Sequence, residues 1–399
     1  MMLGFLLARA GIDAIVLEKH ADFLRDFRGD TIHPSTLELM HELGILEEFL
    51  ARPHQETRQL DAQVGDVTLT VADFSQLPTH CKFIAFMPQW EFLDFIAEHG
   101  KHYPAFTLRM ETEVTDLIRD GERVVGVVVE SPYGAIEVRA DLIVGTDGRH
   151  STVRDRAGLE VEDFGAPMDV LWMRLSRRTS DPGNTLGRVE TGRIFVLIDR
   201  GDYWQCAFVI RKGSFDEIRS AGLAAFRAEI AHFVPFFQDR VDELKDWKQV
   251  SLLTVKVDRL RQWYCPGLLC IGDAAHAMSP IGGVGINLAI QDAVAAANLL
   301  TPRFIEGGVT IDDLRRVQRR RELPTRLTQG LQVFIQNRVI GRVLGSNARP
   351  SPPLAFRMIG RSAWLQRLGA RVIGIGFRPE HAQQARTDAL YNQTNRAKQ

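Results

Sequence analysis

The stretch LCIGDAAHAMSPIGGVGINLAIQDAVAAAN, residues 269–298, is the most informative part of this chain about its fold. Residues 268–271 are a short apolar run of the kind that forms a buried parallel strand. Gly272 and Asp273 follow the run, which places the Asp273 carboxylate at the carboxyl end of the strand, where open α/β sheets bind ligands. We therefore expect an α/β fold with a ligand site at this edge, and Asp273 as an acceptor for sugar hydroxyls.

A loop of small residues separates this strand from the next helix. It contains Pro280, Gly282, Gly283 and Gly285. Because glycine has no side chain, the backbone N–H groups of this loop can approach a flat ligand closely. A helix beginning near Ile286 would favour negative charge at the same place. These features suit the negatively charged edge of a reduced flavin. The alternative is an ordinary glycine-rich turn before a core helix.

Length and composition narrow the class of protein. At 399 residues the chain can form two domains, and a net charge of −1 gives no reason to expect a nucleic-acid partner. Its cysteines show neither C-x-x-C nor metal-ligand spacing, so we expect reduced thiols and no metal site. No apolar run of about 18 residues and no export signal is visible, which predicts a cytoplasmic protein.

The first residues have the pattern of a dinucleotide-binding unit. MMLGFLLARA, residues 1–10, has helical spacing, and an apolar strand at residues 14–17 leads into Glu18. In a βαβ unit an acid at this position binds the adenosine ribose, although a lone Glu after a strand is also a common surface residue. The first strand and G-x-G-x-x-G loop of such a unit do not precede Met1, so we expect either an incomplete start or a different unit.

A second strand-and-turn motif supplies a third landmark. Residues 141–144, an apolar strand apart from Asp141, run into GTDGRHSTVR, residues 145–154, again at the carboxyl end of a strand. Taken together, Glu18, GTDGRHSTVR and IGDAAHAMSPIGGVGIN resemble the FAD-dependent aromatic hydroxylases of the p-hydroxybenzoate hydroxylase type, the class A flavoprotein monooxygenases. The resemblance covers roughly residues 1–300.

This resemblance implies a domain organisation. A Rossmann-like FAD-binding domain would comprise residues 1–55, 85–163 and 255–310, without the family's first strand and G-x-G-x-x-G loop. A mixed β-sheet substrate domain, residues 56–84 and 164–254, would be inserted into it. A helical region, residues 311–386, and a polar tail, residues 387–399, would follow. In the family the first strand is central to the parallel sheet, so we expect a gap in that sheet.

The resemblance also implies roles at the adenosine and phosphate end of the cofactor. Glu18 would bind the adenosine ribose, and Arg28 would reach the pyrophosphate. Gln89 would contact the ribityl and phosphate region, and the backbone of Val114 would meet the adenine. Alternatively, Arg28 is a solvent-exposed charged residue in a loop.

Further roles follow for the two later motifs. Asp147 and Gly148 would lie near the pyrophosphate and the approach of the nicotinamide cofactor, with Arg154 ordering the turn. Asp273 would take the ribityl hydroxyls. The backbone facing the isoalloxazine would be that of Pro280, Gly282, Gly283, Gly285, Ile286 and Asn287. Alternatively, Arg154 forms a structural ion pair, and His276 is a turn residue whose hydrogen bonds are made within the protein.

The middle of the chain predicts a second sheet. Residues 170–175, 192–198 and 203–210 are rich in β-branched and aromatic residues, with turn signals between them. By resemblance this sheet would cover the substrate pocket. The candidate lining residues are Trp172, Phe195, Trp204 and Phe208. At strand spacing these aromatics also fit a plain core.

The C-terminal region is basic. Residues 315–378 contain fourteen Arg and one acid, Glu322, interleaved with apolar residues. This pattern predicts amphipathic helices, either forming a peripheral membrane face for a lipid-like or quinone-like substrate, or packed on the body or on a partner subunit of a homodimer.

The resemblance implies an FAD-dependent monooxygenase. NADPH or NADH would reduce FAD, and a flavin C4a-hydroperoxide would hydroxylate an aromatic or quinone-like small molecule. No catalytic acid–base residue can be assigned. The absence of W-x-W-x-I-P disfavours a flavin halogenase. An FAD-dependent reductase of a lipid-like substrate and a remnant without FAD stay open as alternatives.

Overall fold

The computed structural model of the chain describes residues 1–24, 31–65, 67–182, 186–345 and 354–383. The helices in these ranges are α1 (Met2–Arg9), α2 (Pro34–Glu42), α3 (Leu46–Leu50), α4 (Gln89–Gly100), α5 (Thr152–Ala157), α6 (Phe215–Ala221), α7 (Leu223–Phe233), α8 (Gly285–Ile305), α9 (Ile311–Ile335), α10 (Gly341–Gly345), α11 (Leu354–Arg361) and α12 (Ala363–Gly374). The first ten strands are β1 (Ala14–Leu17), β2 (Thr31–Ile32), β3 (Gln55–Thr57), β4 (Gln59–Val64), β5 (Val67–Asp73), β6 (Ile84–Phe86), β7 (Phe106–Arg109), β8 (Glu113–Asp120), β9 (Arg123–Ser131) and β10 (Gly134–Arg139). The remaining strands are β11 (Ile143–Gly145), β12 (Val161–Asp163), β13 (Met168–Ser176), β14 (Leu186–Glu190), β15 (Arg193–Asp199), β16 (Tyr203–Arg211), β17 (Ser251–Leu253), β18 (Asp258–Leu260), β19 (Tyr264–Cys265) and β20 (Leu268–Cys270).

The strands that carry the three sequence motifs are parallel, as expected for an α/β unit. β1 pairs with β7, and β11 pairs with β20. Helix α1 packs tightly on β1, since a Cβ at Gly4 would lie 2.5 Å from Val16 Cγ2. Within the described ranges no strand joins β1 to β11, so the parallel strands form two separate pairs. The β11–β20 pair contributes to one core through Val144 and Leu269, and α8 enters the same core through Ile290 and Val294.

A seven-stranded mixed sheet forms the second layer, in the order β17-β13-β16-β15-β14-β4-β5. The β14–β4 pair is parallel, and the other neighbours are antiparallel. The strands predicted at residues 170–175, 192–198 and 203–210 are confirmed as β13, β15 and β16. The mixed sheet and the α/β unit together confirm the predicted fold class.

The two faces of the seven-stranded sheet are covered differently. Phe195, Trp204 and Phe208 are 0–3% exposed and form a core with Phe226 and Ile230 of α7. Trp172 lies on the opposite face, because its neighbours in β13, such as Leu171, point toward α7. This corrects the expectation that all four aromatics line the pocket. Strand periodicity shows which residues share a face, but only the position of α7 shows which face is closed.

The C-terminal helices join the two layers. Helix α9 packs along α8 and continues through a π-helical turn, Gln336–Ile340, into α10. Helix α12 packs on β5, where a Cβ at Gly369 would lie 2.9 Å from the Val71 carbonyl oxygen. Glycine therefore permits α12 to approach the edge of the seven-stranded sheet closely.

One described helical stretch, Ile281–Ile305, has the length and hydropathy of a membrane span. However, 61% of its most apolar window is buried inside the protein, as in the core helix of a globular fold.

Candidate cofactor site

The two later sequence motifs meet at one sheet edge. Gly145 of β11 lies opposite Cys270 of β20 in a parallel pair, so the turns after both strands leave the sheet on the same side. Arg154 connects the turns, because its Nη1 donates to the Ala274 carbonyl at 3.3 Å and its Nη2 to the Arg149 carbonyl at 2.5 Å. Its side chain is 4% exposed and lies 3.6 Å from the Asp258 carboxylate. Arg154 thus orders the turn and also takes part in an ion pair.

Asp147 organises the first of these turns. Its carboxylate accepts hydrogen bonds from Ser151 Oγ at 2.5 Å and from the Val153 N–H at 3.0 Å. Gly148 has φ of +86°, and a Cβ there would meet no atom within 4 Å. The turn is therefore held from inside by Asp147 and is open on the outside.

Asp273 is the exception in a buried segment. It is half-buried, whereas every other residue from 271 to 279 is buried. Gly272, which precedes it, adopts φ of +59° and donates its N–H to Asp292 Oδ2 at 3.1 Å. The left-handed turn at Gly272 brings Asp273 to the surface at the end of β20.

The glycine loop has the geometry of a polar cradle. Gly282 and Gly283 have φ of +77° and +63°, and Gly282 is exposed. Helix α8 begins at Gly285 without a side-chain cap, although it has 21 residues. The first N–H groups of a helix have no intrahelical partner, and here no side chain caps them, so they can bind a ligand that accepts hydrogen bonds. This arrangement fits the electron-rich edge of a flavin.

Asn287 clamps the glycine loop from behind. Its Oδ1 accepts from the His33 N–H at 2.9 Å and from Thr36 Oγ1 at 2.8 Å. Its Nδ2 donates to the carbonyls of Thr31 at 2.8 Å and Gly283 at 3.2 Å. Both ends of the amide are thus used within the protein, which leaves the backbone of Asn287 for a cofactor.

His33 and Thr31 are site residues that the sequence reasoning missed. His33 Nδ1 donates to the Ile373 carbonyl of α12 at 2.7 Å, and Thr31 Oγ1 donates to the Gly283 carbonyl at 2.8 Å. Burial lowers the pKa of His33 to about 4, although the carbonyls of Ile373 and Gly282 oppose the shift. His33 is therefore neutral at pH 7. The only signal in the sequence was the polar segment TIHPST, residues 31–36, at the start of α2.

The remaining expected cofactor residues are spread over three elements. Glu18 directly follows β1, and its carboxylate accepts the His20 N–H at 3.0 Å. Gln89 is the first residue of α4, and Val114 lies in β8 opposite Val129. Arg28 lies outside the described residues.

The face of the seven-stranded sheet that lies opposite α7 meets the glycine loop. Trp172 and Val196 pack in the same cluster as Ile281, which lies next to Gly282. Helix α12 borders this region through Ile373, which packs in a neighbouring cluster that also contains Trp172 and Val196. An apolar surface therefore lies beside the loop.

A buried charge network supports the end of β20. His276 Nε2 lies 2.6 Å from Asp292 Oδ2, and Arg321 Nε lies 2.8 Å from Asp292 Oδ1. Burial would raise the pKa of Asp292, but His276 and Arg321 outweigh burial and hold it below its usual range. Arg321 also contacts Glu380 at 3.2 Å. His276 is thus engaged within the protein, as in the alternative of a satisfied turn histidine.

Comparison with known proteins identifies the family. The family described as "FAD binding domain" matches residues 1–310. The chain belongs to the class A FAD-dependent aromatic monooxygenases. The monooxygenase uses FAD, with NAD(P)H as the reductant typical of the family, and it hydroxylates aromatic compounds.

Named relatives of this monooxygenase support the assignment. It is 34% identical to 6-methylpretetramide 4-monooxygenase of Streptomyces rimosus, over 86% of this chain and 83% of that protein. It is 24% identical to para-nitrophenol 4-monooxygenase of a Pseudomonas species, over 76% of this chain and 75% of that protein.

Solved structures share the fold of the monooxygenase. OxyS anhydrotetracycline hydroxylase from Streptomyces rimosus superposes with a TM-score of 0.72 at 24% identity, covering 94% of this chain and 73% of that one. PqsL of Pseudomonas aeruginosa, a probable FAD-dependent monooxygenase, superposes with a TM-score of 0.71 at 20% identity, covering 86% and 94%.

Proposed function

We propose that this monooxygenase hydroxylates an aromatic or quinone-like small molecule held between the glycine loop and the Trp172 side of the seven-stranded sheet, opposite α7. The observation that carries the proposal is the packing of Trp172 and Val196 in the same cluster as Ile281, directly beside Gly282. An aromatic ring bound there would contact apolar side chains and lie close to the cradle that fits the flavin. The names of two relatives, 6-methylpretetramide 4-monooxygenase and para-nitrophenol 4-monooxygenase, support an aromatic substrate.

The cofactor residues carry separate tasks in this proposal. At the adenosine end Glu18 binds the ribose, Val114 meets the adenine, and Arg28 and Gln89 bind the phosphate region. When bound, FAD supplies electron transfer from NAD(P)H and the activation of oxygen.

At the other end of the cofactor, Asp147 and Gly148 lie beside the approach of the nicotinamide, and Asp273 accepts the ribityl hydroxyls. The backbone of the loop binds the electron-rich edge of the flavin. The residues that supply this backbone are Pro280, Gly282, Gly283, Gly285, Ile286 and Asn287.

The protein's own contribution is to orient the reactants and to exclude water. Asn287 and Thr31 hold the loop rigidly, so its N–H groups are oriented before the cofactor binds. His33 ties the loop region to α12 and is neutral, so it adds no charge near the cofactor.

Substrate-dependent oxygen consumption tests the proposal. The purified chain, supplied with FAD and either NADH or NADPH, is screened with 6-methylpretetramide, anhydrotetracycline and para-nitrophenol under ¹⁸O₂. We expect consumption of oxygen with at least one aromatic compound, with one ¹⁸O atom in the product. If a product forms only without incorporated oxygen, and forms equally well under anaerobic conditions, the enzyme is instead a reductase.

We also propose the domain boundaries given above, with residues 56–84 and 164–254 as the substrate domain. The participation of β4 and β5 in the same sheet as β13 to β17 supports this division. Limited proteolysis with and without FAD tests it, since FAD should protect sites in residues 1–55, 85–163 and 255–310 more strongly.

We propose that the enzyme forms a homodimer through the outer face of α9. That face exposes Leu323, Leu327, Leu331 and Phe334, which are 41–60% exposed. Gly330 lies among them, and a Cβ there would meet no atom within 4 Å, so a second helix can approach closely. In an antiparallel pair of helices crossing at Gly330, Glu322 of one copy would face Arg338 of the other.

Light scattering tests the dimer. The wild type should have twice the mass of the chain, and Leu327→Glu should convert it to a monomer. Tyr133→Glu, at a side chain that is 96% exposed elsewhere, is the matched control and should leave the mass unchanged. A monomeric wild type contradicts the proposal.

A peripheral membrane contact is proposed for α11 and α12. Trp364 is 68% exposed, and within the described ranges no carboxylate lies within ion-pair distance of Arg361 or Arg371. An apolar side chain flanked by unneutralised arginines suits an anionic lipid surface. Sedimentation with phosphatidylserine vesicles should be lost in Arg361→Glu/Arg371→Glu, and equal sedimentation of both proteins contradicts the contact.

A further inference from the structure

Helix α9 turns a polar face toward the interior of the protein. Three glutamines on this face, Gln318, Gln329 and Gln332, are 2–8% exposed, and Gln336 at the start of the π-helical turn that follows is fully buried. A helix on the surface of a globular protein normally buries its apolar stripe and exposes its polar one. The buried glutamines therefore need a reason other than the hydrophobic effect.

The reason lies in the backbone groups that these side chains satisfy. Gln332 Nε2 donates to the Ser279 and Ile281 carbonyls, both at 2.9 Å, and Gln332 Oε1 accepts the Ser279 N–H at 3.1 Å. One turn earlier on α9, Gln329 Nε2 donates to the Ala277 carbonyl at 3.0 Å. Gln332 alone thus makes three hydrogen bonds to the segment that leads into Gly282.

This segment receives little support from regular secondary structure. Residues 276–279 belong to neither a helix nor a strand, and residues 281–283 form a single 3₁₀ turn. Ser279 is 1% exposed, so its backbone groups are cut off from water and must find partners within the protein. Side chains of α9 therefore help to fix residues 277–281, the middle of the connection between β20 and α8.

We infer that Gln332 is a positioning residue for FAD: it fixes residues 279–281 so that the N–H groups following Gly282 are aimed at the flavin. This inference rests on the proposed contact between the loop and the flavin. Gln332 itself does not need to touch the cofactor. An amide is required because it combines two N–H donors with one oxygen acceptor. An ionised Glu would have no donor, and Met would have neither an N–H donor nor an oxygen acceptor.

Gln318 provides a matched control on the same helix. Its Nε2 donates to the Arg261 carbonyl at 3.0 Å, and its Oε1 accepts the Trp263 N–H at 3.0 Å. It is also buried, but it supports the turn between β18 and β19 rather than the glycine loop. Replacing either glutamine by Met removes the same kind of buried hydrogen bonds.

The test compares Gln332→Met with Gln318→Met. FAD affinity is measured by quenching of flavin fluorescence, the environment of the bound flavin by its absorption spectrum and midpoint potential, and the stability of the apoprotein by urea unfolding. We expect both variants to lower apoprotein stability similarly. Only Gln332→Met should weaken FAD binding, on the order of tenfold, and shift the flavin spectrum and potential.

Each other outcome overturns the inference. Equal FAD affinity, spectrum and potential in Gln332→Met and the wild type would show that the loop does not depend on Gln332, while leaving the proposed function intact. An equal loss of affinity in both variants would show a general effect of stability. A wild type that does not bind FAD would overturn both the inference and the proposed function. If Gln332→Met does not fold, Gln332→Asn, which keeps the amide but is one methylene shorter, takes its place with the same criteria.

Discussion

Gly282 and Gly283 are adjacent and both adopt positive φ, but their surroundings differ. A Cβ at Gly283 would lie 2.2 Å from Thr31 Oγ1, whereas the nearest atom to a Cβ at Gly282 would be 3.6 Å away. Any side chain at either position has to adopt the left-handed conformation, which costs on the order of 1 kcal/mol. Only at Gly283 would a side chain also clash with the Thr31 hydroxyl, which donates a hydrogen bond to the loop.

We therefore expect Gly283→Ala to lower the free energy of unfolding by about 2–4 kcal/mol and to weaken FAD binding, since overpacking adds to the backbone cost. Gly282→Ala should cost about 1 kcal/mol, because it has the backbone penalty without the clash. Urea unfolding of both variants measures the difference. Thr31→Ala in the Gly283→Ala background should recover part of the loss, and no recovery would show that Thr31 is not the obstacle.

His33 makes a second residue-scale prediction, in its pH dependence. Its pKa is about 4 in the folded protein, below the ordinary value of 6.5, because it is buried. As the pH falls from 6.5 to 4, the unfolded chain binds a proton that the folded chain does not. The free energy of unfolding should therefore fall by up to about 3 kcal/mol as the pH falls through this range. Above pH 6.5 the contribution of neutral His33 to stability is complete.

His33→Asn is the comparison, because it keeps a side-chain donor for the Ile373 carbonyl but does not titrate. The difference in unfolding free energy between the wild type and this variant should change between pH 6.5 and pH 4. Parallel stability curves over that range would contradict the assignment.

At the scale of elements, α9 shows how a basic segment is used. Four arginines in its first half pair with carboxylates, among them Asp292 and Glu380, so this part supports the alternative of helices packed on the body. Arg320 and Arg321 are sequence neighbours that both contact Glu380, but their side chains are 34% and 1% exposed. Burial should make their contributions unequal.

Arg321→Met should lower the free energy of unfolding by about 3–5 kcal/mol, because it leaves the buried Asp292 carboxylate without a cationic partner at its Oδ1. Arg320→Met removes a more exposed pair and should cost about 1 kcal/mol or less. Denaturant unfolding of both variants at pH 7 makes the comparison. Equal losses would show that burial of the network does not control its contribution.

At the scale of the whole molecule, two cores are joined through the cofactor region. One core lies in the α/β unit and the other between α7 and the seven-stranded sheet, and Ile281 and α12 connect the layers. The FAD residues lie mainly in the α/β unit. If the two cores unfold separately, FAD should therefore stabilise the core of the α/β unit more than the core between α7 and the seven-stranded sheet.

Calorimetry with FAD at about 100 times its dissociation constant tests this coupling. Ligand binding to the folded state should contribute about 2.7 kcal/mol to stability. A single transition that moves as a whole shows that the two layers unfold together. If two transitions appear, only the one assigned to the α/β unit should move, and Phe226→Ala in the other core should identify the second.

The parallel strands, the strand-end turns and the glycine loop could all be predicted from local patterns in the sequence. Each of these is local: an apolar run of three or four residues makes a strand, and glycine permits the positive φ at Gly272 and Gly282. The family, its cofactor and its reaction followed from these motifs in their order along the chain.

The residues that support the site could be identified only from how distant parts of the chain pack together. Asn287 and Thr31 are 256 residues apart, and Gln332 lies 53 residues from Ser279, so no local pattern connects them. Tertiary packing likewise separated Trp172 from Phe195, Trp204 and Phe208, because α7 closes one face of the sheet. Local propensity specifies elements, but the partners of a buried polar group or an aromatic face are supplied by whatever element packs against it.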